Sequence, residues 1–264
     1  MVAPLPDLIM DRVTTGLFYD VIGGGGAVRD EFGHRFENYC VDLLRGMLSD
    51  CQFCAEAPYM TPLGQVKTPD VVMCASSANV TDKGLVRLAI ECKAGRMGIV
   101  VRFGEQSAGV VGYEEFAKAV VQLWRFFAHC REGLTPFTIN EQTCGLVLTL
   151  DDWFDGRSAM IPALLQRANE LADESTHGIP VQDRRPIAFC SISDLEVSLE
   201  TATEQSILES VRVASGEKQG WLFSSIHSEV EAAKANAKEY HFADTVSDLL
   251  PWFGMIGELE DDAT

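Results

Sequence analysis

A chain of 264 residues with a 47% hydrophobic fraction is long enough to bury one sizeable core and too apolar to stay disordered over most of its length. Its net charge of −18 excludes a protein that coats nucleic acid non-specifically. No apolar run is long enough to cross a bilayer, and Pro4, Pro6 and Asp7 stand where a secretory signal needs a basic and then an apolar segment, so the expected setting is cytoplasmic.

In chain order, residues 1–22 have an amphipathic helical pattern, broken by Gly23-Gly24-Gly25-Gly26. No Gly-Lys-Ser/Thr follows those glycines and no strand precedes them, so they read as a hinge rather than a phosphate loop. From Arg29 to Leu48, Phe32, Phe36, Tyr39, Cys40, Leu43, Leu44 and Met47 recur at helical spacing, with Glu37 beside the stripe. Short strands are predicted over Phe53–Tyr59 and Val71–Ala75, with a turn at Leu63-Gly64-Gln65 between them. A polar loop follows over Ser76–Gly84, then a strand over Leu85–Cys92 and a further short one over Gly98–Phe103. Tyr113 to Arg131 presents one wide apolar face and is predicted helical. Cys144 to Leu150 is a continuous apolar run of the kind a strand buried on both faces shows. Ala159–Ala172 predicts a helix with Pro162 in its first turn, and Pro186–Ser191 a last buried strand. Helices follow from Ile192, over Glu204–Ala214, Ser228–Tyr240 and Asp244–Phe253, before the acidic tail Glu258–Asp262.

That order predicts an α/β fold, a mixed central sheet flanked by helices. Residues 1–192 form the expected main domain, with its core at about 29–150. Residues 193–264 form a helical acidic extension packed on it.

Charge is unevenly spread. Between Lys83 and Arg102 five basic residues stand against one acid, whereas from Ser193 onward fifteen acids stand against four bases. Eight cysteines without a dense framework fit reduced thiols; Cys51-Gln52-Phe53-Cys54 has the spacing of half a zinc site and supports, as one alternative, a zinc-stabilised interaction protein.

The chemistry concentrates in Lys67-Thr68-Pro69-Asp70 and Ile90-Glu91-Cys92-Lys93. Two-residue spacing puts Glu91 and Lys93 on one face of a strand. The carboxylates of Asp70 and Glu91, with the backbone carbonyl of Cys92, make an oxygen shell suited to Mg²⁺ or Mn²⁺, and the Lys93 ammonium would orient a water or stabilise a transition state. His34 reads as a helix-surface histidine. Arg96 and Arg102 are candidate phosphate contacts.

Pro69-Asp70, twenty intervening residues and Glu91-Cys92-Lys93 resemble the motif of the PD-(D/E)XK nuclease superfamily, which includes restriction endonucleases and Holliday-junction resolvases. The likeness covers a little over half of the chain. It implies a restriction-endonuclease-like core of helix, three meander strands, helix and strand. It also implies a catalytic acid on the first core helix, for which Glu37 is the candidate, and a polar substrate contact on the helix after the motif, matched loosely by Gln122. The implied activity is Mg²⁺-dependent hydrolysis of DNA in defence or DNA repair. DNA is the implied partner, with a homodimer as an open assembly. The alternative is a nuclease-like fold that no longer cuts and serves as a nucleic-acid-binding or protein-interaction module.

Overall fold

The computed structural model describes residues 25–75, 84–95, 113–154, 160–175, 178–230 and 237–249. Helix α1 (Gly26–Met47) leads into β1 (Gln52–Ala55), a hairpin of β2 (Pro58–Thr61) and β3 (Gly64–Lys67), then β4 (Val71–Cys74) and β5 (Val86–Lys93). Helix α2 (Tyr113–Arg131), β6 (Cys144–Thr149), α3 (Met160–Glu174) and β7 (Ile187–Ser191) complete the sheet and its cover. Among the described residues four helices follow: α4 (Ile192–Leu199), α5 (Glu204–Ala214), α6 (Phe223–Glu229) and α7 (Ala243–Leu249).

The five-stranded sheet has the order β1-β4-β5-β6-β7. Strands β1, β4 and β5 are antiparallel neighbours, while β6 and β7 run parallel to β5. The fold is therefore mixed α/β, with helices on both faces of a mixed sheet. One face packs on α1 and α4–α6 through Phe36, Leu43, Val71, Ile90, Leu195, Val211 and Phe223. The other packs on α2 and α3 through Val72, Ala89, Phe116, Leu123, Val147 and Leu164. Strand β6 lies between two parallel partners and is buried at every position, which is why its sequence is an unbroken apolar run. Gly145 within it leaves room for β7: a Cβ there would lie 2.4 Å from Ile187 Cδ1.

The helices after β7 belong to the same core. Ser191 Oγ accepts from the Asp194 amide to cap α4, and Thr203 with Ser206 forms a reciprocal capping box on α5. Leu199, Ile207 and Ile226 are almost wholly buried against the sheet side that α1 also covers.

Two sequence expectations are corrected. The strand predicted over Phe53–Tyr59 is two strands of different sheets, broken at Glu56-Ala57. There the chain leaves β1 for the β2–β3 hairpin, whose base is closed by Thr68 N donating to Ala57 O and Ala57 N donating to Thr68 Oγ1, both at 2.9 Å. Of the helix predicted over Ser228–Tyr240, residues 231–236 lie outside the described residues, its start is the end of a helix at Phe223–Glu229, and residues 237–240 are not helical. Lys238 sends its amide to Glu200 O and its ammonium to the carbonyls of Met47 and Ala202, so that segment straps α1 to the α4–α5 turn. The expectations for residues 1–24, the loop over 76–83, the strand over 98–103 and the tail 258–262 lie outside the described residues, as do Arg96 and Arg102. No helix among the described residues is long and apolar enough to cross a membrane.

Candidate active site

The β4–β5 pairing sets the site. Val71 is level with Ile90, so the next step of an antiparallel register carries Asp70 to the level of Glu91. Pro69 precedes Asp70 and has no N–H to contribute to a ladder, and the strand begins after them at Val71. The Asp70 carboxylate fills the empty ladder position: its Oδ2 accepts from the Cys92 amide at 2.7 Å. A strand residue's N–H and C=O point to the same side, so the Cys92 carbonyl also leaves β5 on the Asp70 side. Two residues along from Glu91, the Lys93 ammonium donates to Glu91 Oε2 at 3.0 Å. Among the described residues, Asp70 Oδ1 and Glu91 Oε1 have no hydrogen-bond partner in protein.

Both acids are buried, at 8% exposure for Asp70 and 4% for Glu91. Burial pushes the Asp70 carboxyl up, the nearby Glu91 charge pushes it further, and the Cys92 amide and Lys93 only partly offset them, leaving it at about 7. Burial likewise raises Glu91, against the pull of Lys93. For Lys93, burial acts to lower the pKa, but Glu91 and Asp70 outweigh it and hold the ammonium above its ordinary value. Ionised together, the two acids would carry more negative charge than one ammonium neutralises, so the pair keeps a proton until about neutral pH.

These residues open onto a cavity of about 790 Å³. Its walls include Asp70, Glu91 and Lys93 from the sheet, Glu37 from α1, Gln122 and Arg125 from α2, and Tyr59 and Lys67 from the hairpin. The structure thus brings Glu37, Asp70, Glu91, Lys93 and Gln122 to one cavity. Glu37 hydrogen-bonds His34 Nδ1 at 3.1 Å, and that bond raises the imidazole pKa. The Cys92 thiol points to the opposite face of the sheet and lies against Cys40 of α1, one turn after Glu37, in the same core. That contact fixes the helix carrying Glu37 to the strand carrying Glu91.

Sequence reasoning missed the hairpin wall and Arg125. Tyr59 Oη pairs with His129 Nδ1 of α2 at 2.8 Å, bracing the hairpin against that helix. The usable signal was spacing: Arg125 follows Gln122 by three positions on a helix, so both share one face.

Cys51 and Cys54 do not form half a zinc site. Cys51 packs on the α1 side of the sheet and Cys54 on the α2 side, as alternation along a strand requires. All eight cysteines are free.

Set against family models, curated proteins and solved structures, the chain matches none. Among the described residues no group of three or more His, Cys, Asp or Glu side chains is arranged to hold a metal ion. A cation here would rest on the two free oxygens of Asp70 and Glu91, the Cys92 carbonyl and water. That donor set suits a hard divalent cation, which would offset the charge of the ionised pair.

Proposed function

We propose that this chain is a metal-dependent deoxyribonuclease of the PD-(D/E)XK type, acting on DNA in a cytoplasmic setting, in defence or repair. The observation that carries the reading is the meeting of Asp70, Glu91 and Lys93 at one end of the β4–β5 pair, facing the cavity that Glu37 and Gln122 also line. The order of helix, three antiparallel strands, helix and parallel strand from α1 to β6 supports it, since a restriction-endonuclease-like core has that order.

When bound, Mg²⁺ or Mn²⁺ would lower the pKa of a water and offset charge growing on the phosphate. The chain's own groups have separate tasks. Asp70 and Glu91 each keep one oxygen turned away from their protein partners. Lys93, held charged by both acids, donates toward the reacting phosphoryl oxygen or its attacking water. Hydrolysis then adds water across a P–O bond, leaving a phosphomonoester and a hydroxyl.

The test is cleavage of linear, circular and branched DNA with Mg²⁺, Mn²⁺ or chelator, beside Glu91→Ala and Lys93→Ala. Metal-dependent cutting that both substitutions abolish supports the reading. Cutting that survives both, or none on any DNA, refutes it. The net charge of −18 favours a second reading, a nuclease-like fold that no longer cuts and serves as a nucleic-acid-binding or protein-interaction module. Tight binding with no cutting under any metal supports that one.

A further inference from the structure

The solvent-facing stripe of α2 is Glu115, Lys118, Gln122 and Arg125, spaced three and four apart. Only the last two of these reach the cavity wall. Arg125 is exposed, and among the described residues it makes no hydrogen bond and no ion pair. In a chain with 39 acids and 21 bases this is unusual, because acidic partners are in excess. Four carboxylates line the same cavity, and each already has one partner among the described residues. Glu37 takes His34, Glu56 takes Lys67, Glu91 takes Lys93, and Asp70 takes the Cys92 amide. The Arg125 charge is felt at Tyr59 and His129, which puts the guanidinium beside the braced hairpin wall.

We infer that Arg125 grips a backbone phosphate of the DNA strand next to the one cut, making it a positioning residue for the substrate. The inference rests on the nuclease-type reading of this cavity. A guanidinium offers a rigid fork of donors that matches two phosphate oxygens, and an ammonium does not. Placed on α2 beside the hairpin wall, it would fix the strand's direction past Asp70 and Glu91. It would thereby aid binding without entering the chemistry.

The experiment measures binding of a short labelled duplex in chelator over a range of salt, for wild type, Arg125→Ala, Arg125→Lys and Lys118→Ala. Losing one phosphate contact should flatten the slope of log affinity against log salt by about 0.9 and weaken binding roughly tenfold. Arg125→Lys should recover the slope but only part of the affinity, and Lys118→Ala, on the same stripe but away from the cavity, should match wild type. In steady-state cleavage with metal, Arg125→Ala should raise KM far more than it lowers kcat. An unchanged slope in Arg125→Ala, or an equal loss in Lys118→Ala, overturns the inference. The two readings fail separately. Wild type that binds through Arg125 and never cuts refutes only the nuclease activity. Wild type that cuts, loses cutting in Glu91→Ala and ignores Arg125→Ala refutes only the phosphate grip. Wild type that neither binds DNA in chelator nor cuts it with metal refutes both.

Discussion

Asp70→Asn should make this protein more stable at alkaline pH, although it removes a residue that catalysis would need. The folded protein holds the Asp70 proton more tightly than the unfolded chain does, with its carboxyl raised from 3.8 to about 7. For a raised acid the stabilising contribution is complete below the unfolded value and is lost as pH climbs through the folded one. Each tenfold change in proton affinity is worth about 1.4 kcal/mol, so ionised Asp70 costs up to about 4 kcal/mol above neutrality, and about 2 kcal/mol if Glu91 carries part of the shared proton. Asparagine keeps the oxygen that accepts from the Cys92 amide and turns a donor, rather than a charge, toward Glu91. Urea unfolding followed by tryptophan fluorescence, in chelator, should give equal stabilities near about pH 4 and a variant about 2–4 kcal/mol more stable near about pH 8.5. Added Mg²⁺ should then stabilise wild type by mass action and leave the variant nearly unmoved. If the variant is equal or weaker near about pH 8.5 in chelator, the buried acid pair is not the strained element described above.

Further substitutions probe the surroundings. Lys93→Met leaves Glu91 without its counter-ion, so stability should fall by about 1–3 kcal/mol at alkaline pH and by much less once Glu91 is protonated, read from urea midpoints across pH. Tyr59→Phe removes the hydroxyl that braces the hairpin on His129, which should cost about 1 kcal/mol and speed amide exchange in β2 and β3 while β4 and β5 stay protected. Gly145→Ala should cost about 1–3 kcal/mol through overpacking against Ile187, and Ile187→Val in the same chain should recover part of that loss in thermal melts.

The parts of the fold legible in the sequence are those whose burial is simple. Strand β6 is covered on both faces, so its composition announces it, and α2 buries one wide stripe from Phe116 to Phe127 that a helical period picks out directly. The hairpin is different. Pro58, Met60, Gln65 and Lys67 face solvent, and Tyr59 and Val66, which pair with each other, are only half covered, so no apolar alternation marks two strands. Helix α6 follows the exposed Trp221-Leu222 and is only seven residues long, too short for a periodic signal. At the site, Asp70, Glu91 and Lys93 were legible because pairing and two-residue alternation are local rules. The hold of the Cys92 amide on Asp70, and the Cys40–Cys92 contact that ties Glu37's helix to the strand, depend on register and packing between distant segments.

The hairpin has one more consequence, for how such a protein can change over generations. Its base is pinned by the Ala57–Thr68 pair, and its strands share no ladder with the five-stranded sheet. Insertions, deletions or new side chains at its tip, where Met60 and Leu63 already stand in solvent, leave the Ala55–Val71 and Val71–Ile90 alignments untouched. Those alignments are what bring Asp70 to Glu91. Variation at the hairpin tip is therefore uncoupled from the geometry of the acids, and the two can be inherited, lost or engineered independently.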